Sequence, residues 1–217
     1  MTADDRTVAF INSLDRGNTE FLNRLEQEAL SDGVPIIRRE TQALLRVLLQ
    51  MKQPHKILEV GTAVGFSALL MEAYAPEDAK ITTIEKYEKR IPVALQNFRR
   101  AGKEEKITLL TGDAMDILKE LKESYDFIFM DAAKAQYIHF FPEVMRLLSC
   151  GGVLVSDNVL QDGDIIESKF AVTRRDRTIH KRMREYLYSL MNHEELVTTI
   201  LRAGDGAAVS VRKGSRE

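Results

Sequence analysis

The chain is poor in cysteine, and that scarcity removes whole classes of structure. Cys150 is the only cysteine among 217 residues, so neither an intramolecular disulfide nor a cysteine-built zinc site can form. A lone thiol suits a reducing compartment, and the expected location is cytoplasmic. Histidine is almost as sparse. His55, His139, His180 and His193 are scattered without metal-ligand spacing. No apolar run approaches the roughly 18 residues of a membrane span. The opening segment, MTADDRTVAF, is acidic and polar and lacks the apolar stretch of a secretory signal. Low-complexity tracts, repeats and linker-like stretches are absent as well. The length therefore predicts one domain over 1–217, with residues 1–53 as a helical segment packed on it.

What is present is a balanced globular composition, 44% hydrophobic and 29% charged, enough to bury a core. The formal net charge of −2 points to no partner, but its distribution is uneven. Residues 1–168 hold 20 basic and 27 acidic groups, whereas 169–217 hold 11 basic and 6 acidic. A basic tail on an acidic body can mark an anionic partner.

Hydrophobic periodicity divides the chain. Leu22, Leu25 and Ala29 recur at helical spacing, and a second amphipathic stretch covers 37–51 before Pro54. From residue 55 short apolar runs alternate with helical stretches. Strands are expected at 56–60, 81–84, 107–110, 127–130 and 153–155. Helices are expected at 67–74, up to Arg100, at 115–122 and at 175–191. Continuously apolar strands alternating with helices predict a doubly wound α/β fold with a mainly parallel sheet. Two further strands at 197–201 and 207–211 flank Gly204-Asp205-Gly206, which predicts a C-terminal antiparallel hairpin.

The first constellation is Glu59-Val60-Gly61-Thr62-Ala63-Val64-Gly65-Phe66-Ser67, a strand running through a glycine-spaced turn into a helix. Such glycines let backbone approach a ligand, and the helix start presents free N–H groups. The spacing is GxxxG, not the GxGxxG of dinucleotide binders. Glu59 would repel a pyrophosphate but suits a ligand carrying ammonium and sulfonium charge. Alone, the turn also reads as an ordinary βα connection. Glu85 follows Gly61 by 24 residues at the end of the next strand, where a carboxylate can accept from both ribose hydroxyls. Asp113-Ala114 follows the third strand, where an adenine edge would lie. Glu85 and Asp113 could each be a helix cap. Together with the glycine turn, at the ends of successive strands, they describe an adenosine site.

The sharper signal is Asp131-Ala132-Ala133-Lys134 after the fourth strand and Asp157-Asn158 after the fifth. Adjacent strands would bring two carboxylates and an amide oxygen to one edge, a hard ligand set that suits Mg²⁺. Singly, Asp131 and Asp157 read as caps and Lys134 as a surface charge.

These segments carry a resemblance. KILEVGTAVGFSA, TIEK, GDA, MDAAKAQY and SDNVL are similar to the metal-dependent, S-adenosylmethionine-using O-methyltransferases of the catechol and caffeoyl-CoA type, from about residue 34 onward. GVPIIRRE, KQPHKILEVGTA, DNVL, LMNH and GDGAAVS most resemble the bacterial tRNA 5-hydroxyuridine methyltransferases, which make 5-methoxyuridine at the anticodon wobble position. The resemblance implies a seven-stranded sheet of the class I methyltransferase type with its last strand antiparallel, and a homodimer. It implies that Ile37, Glu59, Gly61, Ser67, Glu85, Asp113, Ala114 and Asp131 line the cofactor site, to which Thr62 and Gly65 of the same turn are added. It implies Mg²⁺ on Asp131, Asp157 and Asn158, and Lys134 beside the acceptor oxygen, either as the base that removes the hydroxyl proton or as an electrostatic helper. Asp131 and Lys134 are the expected catalytic pair. Ala135 stands where glycine is expected in those relatives.

A bound cation makes a hydroxyl a better nucleophile. Catechol and 5-hydroxyuridine both offer two adjacent oxygens with the same bite, so the surroundings must separate them. Lys169, Arg174, Arg175, Arg177, Lys181, Arg182 and Arg184 lie within 16 residues, opposed only by Asp176. They could grip tRNA phosphates at the site's mouth, or form the solvated face of a helix. A modified anticodon base would be splayed out to reach the metal, and Tyr137, Phe140 and Phe141 could stack on it or fill the core. Three other readings compete: a small catechol-like or hydroxycinnamoyl acceptor, a dinucleotide-dependent oxidoreductase, and a non-catalytic cofactor-binding module. GTAVG and the lack of a YxxxK relay oppose the oxidoreductase. The module would need no Asp131, Asp157, Asn158 and Lys134 together.

Overall fold

The computed structural model describes residues 3–168 and 170–214. Three helices come first, α1 (Ala3–Leu14), α2 (Glu20–Ser31) and α3 (Arg39–Lys52). The Thr19 hydroxyl caps α2 by accepting from the Leu22 N–H, a device worth about 1 kcal/mol. Leu22, Leu25 and Ala29 form the buried stripe of α2, and Leu45 and Leu49 that of α3. Gln53 ends α3 in the left-handed conformation, and Pro54 prevents its continuation.

Strands and helices then alternate: β1 (Lys56–Val60), α4 (Phe66–Tyr74), β2 (Lys80–Glu85), α5 (Ile91–Arg100), β3 (Ile107–Thr111), α6 (Ala114–Glu120), β4 (Tyr125–Met130), α7 (Tyr137–Leu147), β5 (Leu148–Ser156), α8 (Arg177–Asn192), β6 (Leu196–Leu201) and β7 (Ala207–Arg212). Short 3₁₀ segments occupy Lys134–Gln136 and Gln161–Ile166. The seven strands form one sheet in the order β3-β2-β1-β4-β5-β7-β6. Strands β1 to β5 pair in parallel, and β7 runs antiparallel to both β5 and β6. The expected doubly wound sheet with its C-terminal hairpin is what the structure shows.

Phe127, Ile128, Phe129 and Met130 of β4 are all fully buried because helices cover both faces. Each such side chain contributes on the order of 1.5–3 kcal/mol of transfer free energy. One core cluster joins Tyr137, Val144, Met183 and Tyr186 to one face, and another joins Leu25, Leu45, Phe66 and Phe98 to the opposite face. β5 begins at Leu148, five residues earlier than its apolar run suggested. Its first part contains Gly151 at φ 69°, and the β4–β5 register shifts between Tyr125 and Phe127, which hides the strand from a pattern reading. Cys150 is exposed near this end of β5. Among the described residues no helix is long and apolar enough to cross a membrane.

The register positions the site. Val60 pairs with both Ile84 and Met130, and Met130 pairs with Ser156. Gly61, Glu85, Asp131 and Asp157 therefore leave the sheet at one level. The winding reverses between β1 and β4, which opens a crevice beyond their carboxyl ends.

Candidate active site

A cavity of about 580 Å³ fills that crevice, bounded by Ile37, Gly61, Ala63, Glu85, Asp113, Ala114, Asp131, Lys134, Asn158 and Asp205. Its size suits a small-molecule ligand. Gly61, at φ 107°, passes so close to β4 that a Cβ would stand 2.1 Å from the Asp131 carbonyl oxygen. Ala63 is left-handed, at φ 47°, and this aims its N–H at Glu85 Oε2, 2.8 Å away. The other oxygen of Glu85 accepts from the Lys86 and Tyr87 amides at 2.9 and 2.8 Å. Three backbone donors thus lock this carboxylate at the cavity wall.

Asp113 is both a wall and a cap. Its Oδ1 accepts from the Met115 N–H at 3.0 Å, and Lys86 Nζ lies 3.2 Å from Oδ2. The amide, then the ammonium, hold its carboxyl below the usual range. Ala114 opens α6 on the same wall. Ile37 borders the cavity and a narrow annex shared with Thr62, Ser67 and Asp131.

Two of the expected cofactor-site residues stand behind the cavity wall and support it. Gly65 is not on the wall. It caps α4 at φ 86°, and a Cβ there would meet the Phe98 ring at 2.5 Å, so its glycine serves helix packing. Glu59 is fully buried behind Ser67. Its two oxygens accept from the Ser67 and Thr83 hydroxyls, and Thr83 also pairs with Thr62. Burial, reinforced by Asp131 and Glu85, pushes Glu59 up to about 7.

The ends of β4 and β5 bring the predicted catalytic group together. Lys134 Nζ donates to Asp131 Oδ1 at 3.0 Å and to Asn158 Oδ1 at 2.7 Å. Asn158 is left-handed at φ 54°, a conformation its short polar side chain tolerates. Asp157 is buried, its N–H donates to the Met130 carbonyl, and its Oδ1 accepts from Thr41 Oγ1 and the Asn158 N–H. Its Oδ2 is buried without a hydrogen-bond partner. Burial and the neighbouring Asp131 push Asp157 up to about 6. Among the described residues no three His, Cys, Asp or Glu side chains cluster as a metal site. The ligand set on offer is two carboxylates completed by a carboxamide.

The aromatic residues after this turn divide. Tyr137 is fully buried and donates to the Met130 and Asp157 carbonyls. Phe141 packs edge-on against Tyr186 and His193. The core therefore takes Tyr137 and Phe141, and only Phe140 borders the cavity.

The basic run also divides. Lys169 lies outside the described residues. Arg177 and Arg184 donate to the Val172 and Ile165 carbonyls, bracing the loop before α8, and Lys181 pairs with Glu185 on the helix surface. Arg182 donates to the Ala135 carbonyl, which sets α8 beside the Lys134 turn. Arg174 and Arg175 are exposed.

The sequence reading missed the β6–β7 turn as part of the site. Gly206 and Asp205 carbonyls accept from Val159 and Leu160, so this turn holds the loop after Asp157. A Cβ on Gly206 would stand 2.3 Å from Leu160. Its only signal in the sequence was a pair of glycines, read as a tight hairpin turn. Thr41 was likewise invisible, since a threonine inside a helical stretch signals nothing.

Residues 13–213 match the O-methyltransferase family, and the chain belongs to it. A catechol O-methyltransferase of Niastella koreensis is 37% identical over 127 residues, covering 57% of this chain and 58% of that enzyme. A caffeoyl-CoA O-methyltransferase of Stellaria longipes is 34% identical over 128 residues, covering 56% and 53%. The matched segment thus spans little more than half of either relative. For the fold alone, the structure of an SAH-bound methyltransferase from Podospora anserina has a TM-score of 0.87 at 24% identity, covering 97% of this chain and 95% of that one.

Proposed function

We propose that this O-methyltransferase takes its methyl group from S-adenosylmethionine, requires Mg²⁺, and converts 5-hydroxyuridine at the tRNA wobble position to 5-methoxyuridine. The observation that carries the reading is the convergence of Lys134, Asp131 and Asn158 in the electrostatic neighbourhood of Asp157, whose buried Oδ2 has no hydrogen-bond partner. An orphaned buried carboxylate oxygen next to a second carboxylate and an amide oxygen fits a hard cation held by Asp131, Asp157 and Asn158. When bound, Mg²⁺ supplies Lewis acidity that favours the ionised form of the acceptor hydroxyl.

The remaining steps belong to the chain's own residues. Glu85, locked by three amides, presents a carboxylate where ribose hydroxyls can donate, and Asp113 and Ala114 border the adenine end. Gly61 gives the backbone close approach at the centre. Buried Glu59 places a titratable carboxyl behind the annex, toward the cationic end of the cofactor. Lys134 carries positive charge beside the acceptor oxygen and stabilises the oxyanion as it forms. When bound, S-adenosylmethionine would supply an electrophilic methyl group on its sulfonium and would leave as the neutral thioether with the S–C electron pair, the acceptor's hydroxyl proton passing to solvent.

The exposed Arg174 and Arg175 before α8 support a polyanionic acceptor. The relatives' names favour a second reading, a catechol-like or hydroxycinnamoyl acceptor. Incubation of tRNA lacking 5-methoxyuridine with enzyme, cofactor and Mg²⁺, followed by nucleoside mass spectrometry, separates the two. Conversion of hydroxyuridine is expected, and turnover confined to catechols would transfer the assignment to the second reading. Charge reversal of Arg174 and Arg175 should lower kcat/KM for tRNA by about 10–100-fold and flatten its salt dependence, while leaving a free nucleoside acceptor unaffected. Equal losses on both acceptors would remove these arginines from tRNA contact.

A further inference from the structure

The carboxylate of Asp157 is held from outside its own loop. Thr41, fully buried in the first turns of α3, donates from Oγ1 to Asp157 Oδ1 at 3.2 Å, across 116 positions of sequence. The Asn158 N–H donates to the same oxygen at 2.9 Å. Both donors meet Oδ1, and Oδ2 is left buried with none. The hydroxyl is itself confined. A Cβ on Gly204 would stand 2.6 Å from Thr41 Oγ1 and 3.3 Å from Arg38 Cβ, so the β6–β7 turn closes over the start of α3. A larger residue at position 204 would displace the hydroxyl that Asp157 uses.

We propose that Thr41 is a positioning residue for the metal site: its hydroxyl fixes the rotation of the Asp157 carboxylate so that Oδ2 is presented to the cation. The N-terminal helical segment is thereby part of the catalytic machinery and not only a cover for the sheet. Two donors on one oxygen leave a single way to turn the carboxylate, and a ligand held in one orientation binds without the entropy loss of ordering it.

The inference rests on the Mg²⁺ reading above, and one experiment separates the two. Mn²⁺ is titrated into the purified chain and free ion followed by electron paramagnetic resonance, with methyl transfer measured in parallel across Mg²⁺ concentrations. Thr41→Val, which keeps shape and removes the donor, is expected to weaken Mn²⁺ binding by about tenfold. The Mg²⁺ concentration for half-maximal rate should rise by the same factor, with cofactor affinity unchanged. Thr41→Ser should bind the ion as the wild type does. Wild-type affinity in Thr41→Val, or equal weakening in Thr41→Ser, would overturn the positioning role. Should Thr41→Val melt early, Thr41→Ala against Thr41→Ser decides on the same criterion. A wild-type chain that takes up no Mn²⁺ and works at full rate in chelator would instead overturn the metal reading itself.

Discussion

The carbonyl oxygen of Asp131 lies 2.1 Å from where a Cβ on Gly61 would stand. Backbone from two neighbouring strands therefore meets where β1 and β4 end, with no room for a methyl group. Gly61→Ala must also adopt φ 107°, which L-residues rarely do. Strain and overpacking together should cost about 3 kcal/mol or more. Gly102→Ala is the matched comparison, since it too has positive φ but nothing within 4 Å, and should cost only about 1 kcal/mol. Urea midpoints of both variants measure the difference, and comparable losses would discard the close-approach argument.

Lys134 Nζ lies between two of the expected metal ligands, Asp131 and Asn158. On the proposed function, an ammonium there would repel an incoming dication while serving the acceptor oxygen. Lys134→Met should therefore split two properties. Metal affinity should rise several-fold as a like charge is removed, whereas the single-turnover rate of methyl transfer should fall by about 100-fold. Isothermal titration with Mn²⁺ and rapid-quench kinetics check the two halves. Weaker metal binding would mean that the ammonium orders the ligands instead of competing with the cation.

Glu59 titrates at about 7 in the fold, because burial disfavours its charge, against 4.5 in an open chain. Between those values the native state holds a proton that the unfolded state has lost. The stability this provides is full below about pH 4.5 and falls as pH rises toward 7. Glu59→Gln removes the titration, so its stability relative to wild type should rise across that window by up to roughly 3 kcal/mol. Chemical denaturation of both proteins at pH 4.5, 6 and 7.5 gives the comparison. A pH-independent difference would show that Glu59 is charged throughout.

Legibility in the sequence followed the range of the interactions. Val60, Met130 and Ser156 end continuous buried runs, and adjacency of β1, β4 and β5 then dictates that Gly61, Asp131 and Asp157 emerge together. That part could be read from strand endings and one assumption about order. Glu85 and Asp113 were also found by position, although each turned out to serve its own turn as well as the cavity wall. What escaped was set by packing between distant segments. Gly65 looked identical to Gly61 in the sequence, yet Phe98 on α5 decides its purpose. Glu59 is fully buried against the Ser67 and Thr83 hydroxyls, contacts that no sequence pattern announces. The basic run reads as one patch in the sequence, but carbonyls at Val172, Ile165 and Ala135 withdraw three of its arginines into the loop architecture.

Cys150 offers an experimental handle that owes nothing to design. It is the one thiol in the chain, it is exposed, and it sits near the start of β5 while Asp157 follows the other end. At about 3.3 Å per strand residue, the intervening stretch puts roughly 20 Å between them. A nitroxide or fluorophore attached to the unmodified protein would land at one place only, clear of the chemistry, with the rigid strand as a fixed ruler. Dipolar coupling from that label to a paramagnetic ion could then locate the ion without a single engineered residue.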